Sequence, residues 1–237
     1  MKMAADRGCL LEEMQLGAIL VRLGLFVMRA PGMYDLELIL VPMLLIANGL
    51  ERLCKVLLYL HSRVGSIEAQ YEKWKSHDLV MLVHSVVDRC FDTSYRGTAN
   101  GAQDAEMLLS DEELNRILSV LADYAKSNRY FNLDYVAGKT KSSRGSEDKW
   151  GEQYELPRIL AAIKAGEGRP SQEVIASWRR DAQAWIEKVV RAMARVLKDG
   201  QFGPDGRLFY KVLRDFYALT DSSLGLADYA RWNLRRP

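Results

Sequence analysis

The residues best suited to chemistry gather early in the chain. All three histidines, His61, His77 and His84, lie between positions 61 and 84. His77, His84 and Asp88 are spaced seven and four apart, which on a helix places them on one face. Glu72 and Asp92 extend the same stripe. Histidine and carboxylate at this spacing suit a divalent metal or general acid–base catalysis. A solvated, hydrogen-bonded helix edge gives the same pattern. The sequence has no HExxH, no GxSxG elbow and no phosphate loop, since no Lys-Ser/Thr follows the glycines at 200–206.

A second cluster is KSNRYFNLDYVAG, residues 126–138. Arg129, Asn132 and Asp134 make directional hydrogen bonds, and Tyr130, Phe131 and Tyr135 offer stacking surfaces. Arg129, Tyr130, Asn132 and Asp134 are therefore the candidate ligand-binding residues, although a helix junction uses the same residue types. With Arg129 on a phosphate, His77, His84 and Asp88 would compose a metal-assisted or acid–base ribonuclease. A pocket lined by Tyr130, Tyr135 and tryptophans would instead take a small molecule. A third feature is a basic row at Arg179, Arg180, Lys188, Arg191, Arg195 and Lys198, which would line the outer face of a long helix. It reads as a phosphate-facing surface or as an ordinary solvated face, because acids interleave.

Helices must position these groups. Sustained period-two alternation is missing and no hairpin turn is read, so the fold class is all-α. The pattern predicts helices over 11–29 and 36–61, with Asp35 as a plausible cap and Pro42 either kinking the second helix or delaying its start. A third helix is expected over 66–91, with Leu79, Leu82, Val83, Val86 and Val87 on its buried face. Residues 92–104 read as a loop. Ser110 and Glu113 read as a capping box for a helix to about 126. After a Gly- and Ser-rich stretch come a short helix over 154–165 and a long one from Ser171 to about 198. A final helix is expected over 207–219. In the long helix Val174, Trp178, Ala182, Trp185, Val189, Met193 and Val196 repeat in a heptad-like way, fitting bundle packing or a dimer seam. The organisation is thus an N-terminal bundle over 1–137, an exposed loop or linker over 138–149, and C-terminal helices over 150–237 that could share the same core.

Composition bounds what remains. The chain has 237 residues, 49% hydrophobic and 27% charged, with a net charge of +2. That excludes a disordered polymer or a collagen-like repeat and does not by itself announce nucleic acid. Cys9, Cys54 and Cys90 are scattered and odd in number, which fits buried thiols in a reducing cytoplasm. The apolar run within 36–50 is too short to span a bilayer, which needs roughly 20 residues.

One arrangement resembles a known family. Asn48-Gly-Leu-Glu-Arg-Leu-Cys-Lys55 is followed by apolar residues to His61, and Ser76-His-Asp-Leu79 then opens the next apolar face. This is similar to the helical core of HEPN-type proteins, where one helix carries Glu and Lys on adjacent turns and the next opens with a His-Asp-Leu-like stretch. The resemblance spans roughly 36–91. It implies an antiparallel helical bundle with additional C-terminal helices, often dimeric, and links to RNA cleavage, stress or phage defence. By position it makes Glu51, Lys55, His77 and Asp78 the candidate catalytic residues. The Arg-x4–6-His motif of the catalytic members has no counterpart, so the resemblance implies a non-catalytic or cryptic binding role. The residues alone allow plainer roles: Glu51 and Lys55 as an i,i+4 ion pair, and His77 and Asp78 as helix caps. The expectation is a cytoplasmic homo-oligomer without a cofactor, with RNA or a protein as partner and no membrane.

Overall fold

The structure, a computed structural model, describes residues 2–29, 36–62, 76–127 and 150–230. Among these residues the chain is all-α, with no strand. Its helices are α1 (Lys2–Met28), α2 (Leu36–His61), α3 (Leu79–Cys90), α4 (Thr93–Arg96), α5 (Ala99–Ser110) and α6 (Glu112–Ser127). They continue with α7 (Leu156–Lys164), α8 (Gln172–Asp199) and α9 (Gly203–Tyr217). A π-helical turn, Gly151–Glu155, leads into α7, and a 3-10 turn, Asp221–Ser223, follows α9.

Capping side chains set the helix starts. Asp78, Asp92, Thr98 and Ser171 each accept a backbone N–H three residues on, at Met81, Tyr95, Gly101 and Val174. Two expectations change here. The segment 92–104, read as a loop, contains α4 and the start of α5, because Asp92 and Thr98 supply caps within a polar sequence. At the start of α6 the cap is Asp111, whose carboxylate accepts the Leu114 N–H at 2.8 Å, so Ser110 ends α5 instead. A third change concerns the helix expected over 66–91: its described part starts only at Leu79, and residues 76–78 are non-helical. The expected loop at 138–149 lies outside the described residues.

α1 and α2 form an antiparallel pair whose backbones nearly touch. Met14, Ala18, Val21, Leu25 and Met28 of α1 are buried, together with Met43, Ile46, Ala47, Leu50 and Leu53 of α2. Glycines allow the approach. A Cβ on Gly49 would lie 2.6 Å from Val21 Cγ2 and 2.7 Å from the Gly17 carbonyl oxygen, and one on Gly24 would lie 2.5 Å from Ile46. Pro42 sits buried inside α2, which continues through it from Leu36. The remaining helices pack on this pair, and one core runs from Met14 to Tyr229. Trp150, fully buried, stacks on Tyr154 at 4.1 Å and donates its indole N–H to Glu155 at 2.9 Å.

Two helices leave apolar faces open. On α1, Leu16, Ile19, Leu23 and Phe26 are 36% to 45% exposed on the side away from α2. On α7, no residue is buried, and Leu156, Leu160 and Ile163 face outward.

The basic row of α8 turns partly inward. Arg191 is buried, donating to the Leu219 carbonyl and to Asp221 at 2.7 Å. Arg195 pairs with buried Asp104 at 2.9 Å, and Arg179 with Glu155 at 3.1 Å. Half of the expected row is thus taken up by internal ion pairs, while Arg180 and Lys198 stay exposed and Lys188 lies over the Trp185 ring. The heptad-like positions Ala182, Val189, Met193 and Val196 are buried within the chain, while Val174 stays exposed.

Residues 221–230 close the fold. The Glu187 carboxylate, fully buried, accepts from the Gly225 N–H, the Tyr229 hydroxyl and the Gln183 amide, each at 2.6 Å. Burial raises its pKa above the ordinary carboxylate value, against these three hydrogen bonds. Arg29 of the α1 end donates to the Ala227 carbonyl at 2.5 Å.

Replacing Gly by Ala inside a helix ordinarily stabilises by about 0.5–1 kcal/mol. At Gly49 the sign should reverse: the Cβ has no room, and overpacking costs about 1–3 kcal/mol. Denaturant titration of Gly49→Ala should show a loss of that size. A gain would mean α1 and α2 are not in contact here.

Candidate functional site

α2 is mostly apolar, yet it carries a polar stripe at Asn48, Glu51, Arg52, Lys55 and Tyr59, spaced about one turn apart. This stripe and Leu10 and Glu13 of α1, with Val56, line an open groove of about 360 Å³. Arg52 crosses the groove to pair with Glu13. Because the α1–α2 backbones are held so close, the groove floor is helix surface rather than a gap into the core.

Glu51 is the hinge of the site. Its side chain is 11% exposed, and its two carboxylate oxygens have different partners. Oε1 accepts from Lys55 Nζ at 2.7 Å, the i,i+4 pair expected on a helix. Oε2 meets His77 Nδ1 at 2.9 Å, across from α2 to the segment before α3. Burial opposes ionisation of Glu51, but the hydrogen bonds from His77 and Lys55 outweigh it and hold the pKa below the ordinary value. An ionised acceptor requires a proton on His77 Nδ1. The other ring nitrogen, Nε2, has no partner among the described residues, and the ring is 45% exposed. The site thus offers an oriented imidazole and a fixed ammonium side by side.

Three of the four residues carried by position, Glu51, Lys55 and His77, are therefore in contact. The fourth, Asp78, sits at the start of α3, where its carboxylate accepts the Met81 N–H at 3.1 Å. Its own N–H is held by Ser76 Oγ at 3.0 Å. That cap is why α3 starts at Leu79 and why His77 is free to turn toward α2.

The metal stripe does not form. His77 precedes the helix, so helical spacing no longer aligns it with His84 and Asp88. His84 Nε2 instead meets Asn115 Oδ1 of α6 at 3.2 Å, and Asp88 is 67% exposed with Arg96 at 3.9 Å. Among the described residues no group of three metal-type ligands converges. The third histidine, His61, meets Gln201 at 3.0 Å, far along the chain from either. Arg129, Tyr130, Asn132 and Asp134 lie outside the described residues.

Sequence reasoning missed the α1 side of the groove, Leu10 and Glu13, and gave no role to Asn48, Arg52 or Tyr59. The signal for the α2 side was present: a run of polar residues at helical spacing within an apolar helix. The α1 side had none, because Glu13 reads as one more charge near a helix start.

The depressed pKa of Glu51 has a consequence for stability. A carboxyl with a lowered folded-state pKa contributes stability above its unfolded pKa, and that contribution is lost as pH falls through the folded value. Melting temperatures of Glu51→Gln and the wild type should therefore differ most at neutral pH and converge on acidification below the ordinary carboxylate range. A constant gap across pH would show that Glu51 is not held ionised by Lys55 and His77.

No family model, no curated protein and no solved structure matches the chain.

Proposed function

We propose that this chain is an HEPN-like helical binding protein. The α1–α2 groove takes the sugar–phosphate backbone of single-stranded RNA, in the setting of stress or phage defence that the resemblance implies. The observation that carries the reading is the Glu51–Lys55–His77 cluster beside an open groove. Lys55 uses one of its donors on Glu51, and Arg52 is turned toward Glu13 across the groove. Cations held in place in this way meet a phosphate with little further ordering. The stripe from Asn48 to Tyr59 rises about 16 Å along α2, enough for two or three nucleotides. Carboxylates at Glu13 and Glu51 offset much of the positive charge, which favours a modest affinity over tight capture.

A second reading rests on the same His77–Glu51 contact. A carboxylate on Nδ1 orients imidazole so that Nε2 can take or give a proton, the arrangement of a general acid–base pair. His77 would then activate a ribose hydroxyl while Lys55 stabilised charge on the phosphate. No second histidine lines the groove to serve the leaving oxygen among the described residues, so binding stands first.

Self-association belongs to the proposal. Leu16, Ile19, Leu23 and Phe26 recur at three- and four-residue steps on the open face of α1. Glu12 stands at one end of this seam and Arg29 at the other, so an antiparallel pairing of two copies brings opposite charges together.

Fluorescence anisotropy with a labelled single-stranded RNA tests the main reading. For the wild type, the logarithm of the binding constant should fall linearly with the logarithm of salt concentration. Lys55→Ala should weaken binding and make that slope shallower by about 0.7, the contribution of one phosphate contact on a single strand. An unchanged slope would remove Lys55 from the interface. If the labelled RNA is cut in the presence of a chelator, and His77→Ala stops it, the acid–base reading replaces the binding one. Light scattering should give twice the 26.9 kDa chain mass at micromolar concentration, and Leu23→Lys should halve it. A monomeric wild type would rule out the self-association.

A further inference from the structure

Resting on the RNA-binding reading, we propose that the groove also selects bases. Asn48 is the selecting residue, and it favours bases with an exocyclic amino group, adenine and cytosine among them, over uracil. The side-chain amide of Asn48 has a fixed orientation. Its Nδ2 donates to the Leu44 carbonyl one turn back at 2.7 Å. That carbonyl can only accept, so the nitrogen must lie on its side and Oδ1 on the other. Oδ1 has no partner among the described residues and is not sealed from solvent, while Asn48 lines the groove. The groove therefore presents a bare acceptor whose direction is set by the backbone of α2.

Position along the groove makes this acceptor a base reader rather than a phosphate ligand. Asn48 lies nearly two turns before Lys55 on the same stripe, about 10 Å away along the helix axis. A phosphate held at Lys55 leaves the neighbouring nucleoside room to lie toward Asn48, past Arg52. Leu10, Val56 and Tyr59 line the other end of the groove, at and beyond Lys55, and suit the next base along the strand. At Asn48 the groove presents Oδ1 as an acceptor. Adenine and cytosine bring an amino group with two donors to it. Uracil has no amino group, and its ring N–H sits between two carbonyl oxygens that crowd Oδ1. One hydrogen bond made or lost in this setting changes affinity by about fivefold.

The test measures binding of the full chain to A8, C8 and U8 RNA oligomers at one salt concentration. Two variants accompany it. Asn48→Thr keeps a hydroxyl that can donate to the Leu44 carbonyl, as threonine does within helices, and removes the outward acceptor. Asn48→Ala removes both, and thermal melts check that each variant folds. The expected result is that the wild type prefers A8 and C8 over U8 by about fivefold. Both variants should lose the preference, binding A8 and C8 no more tightly than U8. Equal wild-type affinity for all three oligomers would overturn base selection and leave the RNA-binding reading standing. A preference that survives in Asn48→Thr and Asn48→Ala would overturn the role of Asn48. Failure to bind any of the three would remove the RNA-binding reading and base selection together.

Discussion

The close approach of α1 and α2 is the constraint on which the rest of the molecule depends. Gly17, Gly24 and Gly49 replace side chains by backbone contact along one seam. With no side chains between the two helices there, the residues flanking the seam are pushed outward. That is what places Leu10 and Glu13 opposite Arg52 and Val56 and makes a shallow groove out of two adjacent helices. The same closeness fixes which face of α2 is left for α3. Cys54, Leu57 and Leu58 are buried on that side, and Glu51 sits at its border. A larger residue at Gly49 would widen the pair and move the two sides of the site relative to each other.

The molecule handles buried carboxylates in two opposite ways. Glu51, nearly enclosed at the edge of the groove, accepts hydrogen bonds from His77 and Lys55 that hold its pKa below the ordinary value. Glu187 and Asp104 are more deeply buried, and burial lifts their pKa values even though Arg195 pairs with Asp104 and three donors surround Glu187. The contrast separates roles. A carboxylate that holds its charge can orient a histidine at a surface groove. Carboxylates whose charge is disfavoured join helices: Asp104 ties α5 to α4 through Tyr95 and to α8 through Arg195, and Glu187 ties α8 to the last segment. Inward-turned arginines on α8 serve the same joining purpose.

The helical class and the long helices were legible in the sequence because they rest on local signals: apolar spacing, Ser171 as a cap, and glycines at the ends. The capping at 92 and 98 was equally local but was masked by a polar, glycine-bearing composition that resembles a loop. The contact between Glu51 and His77 was suggested only by position within a resemblance. Nothing in spacing joins residues 26 apart on different elements. The stripe of His77, His84 and Asp88 failed for a definable reason. A period of 3.6 carries across a segment only if the segment is one helix, and Asp78 restarts the helix between them. The basic row of α8 misled because charge at regular spacing usually means solvent, whereas Arg179, Arg191 and Arg195 each had a carboxylate waiting on another segment.

The last described segment and α9 tie back to α1 and the residue after it. Arg29 meets Ala227, 198 residues further on, and Arg22 meets Val212 and Asp215 at comparable separations. These contacts can form only after residues 212–227 have been synthesised. A nascent chain would emerge with the α1–α2 pair able to assemble at once, but with Glu187 denied its partners at Gly225 and Tyr229 until those residues have left the ribosome. The fold is therefore one that matures late. Its local helical contacts form quickly and its longest loops close last. A chain interrupted before residue 225 would leave the carboxylate of Glu187 in the middle of α8 without the groups that hold it.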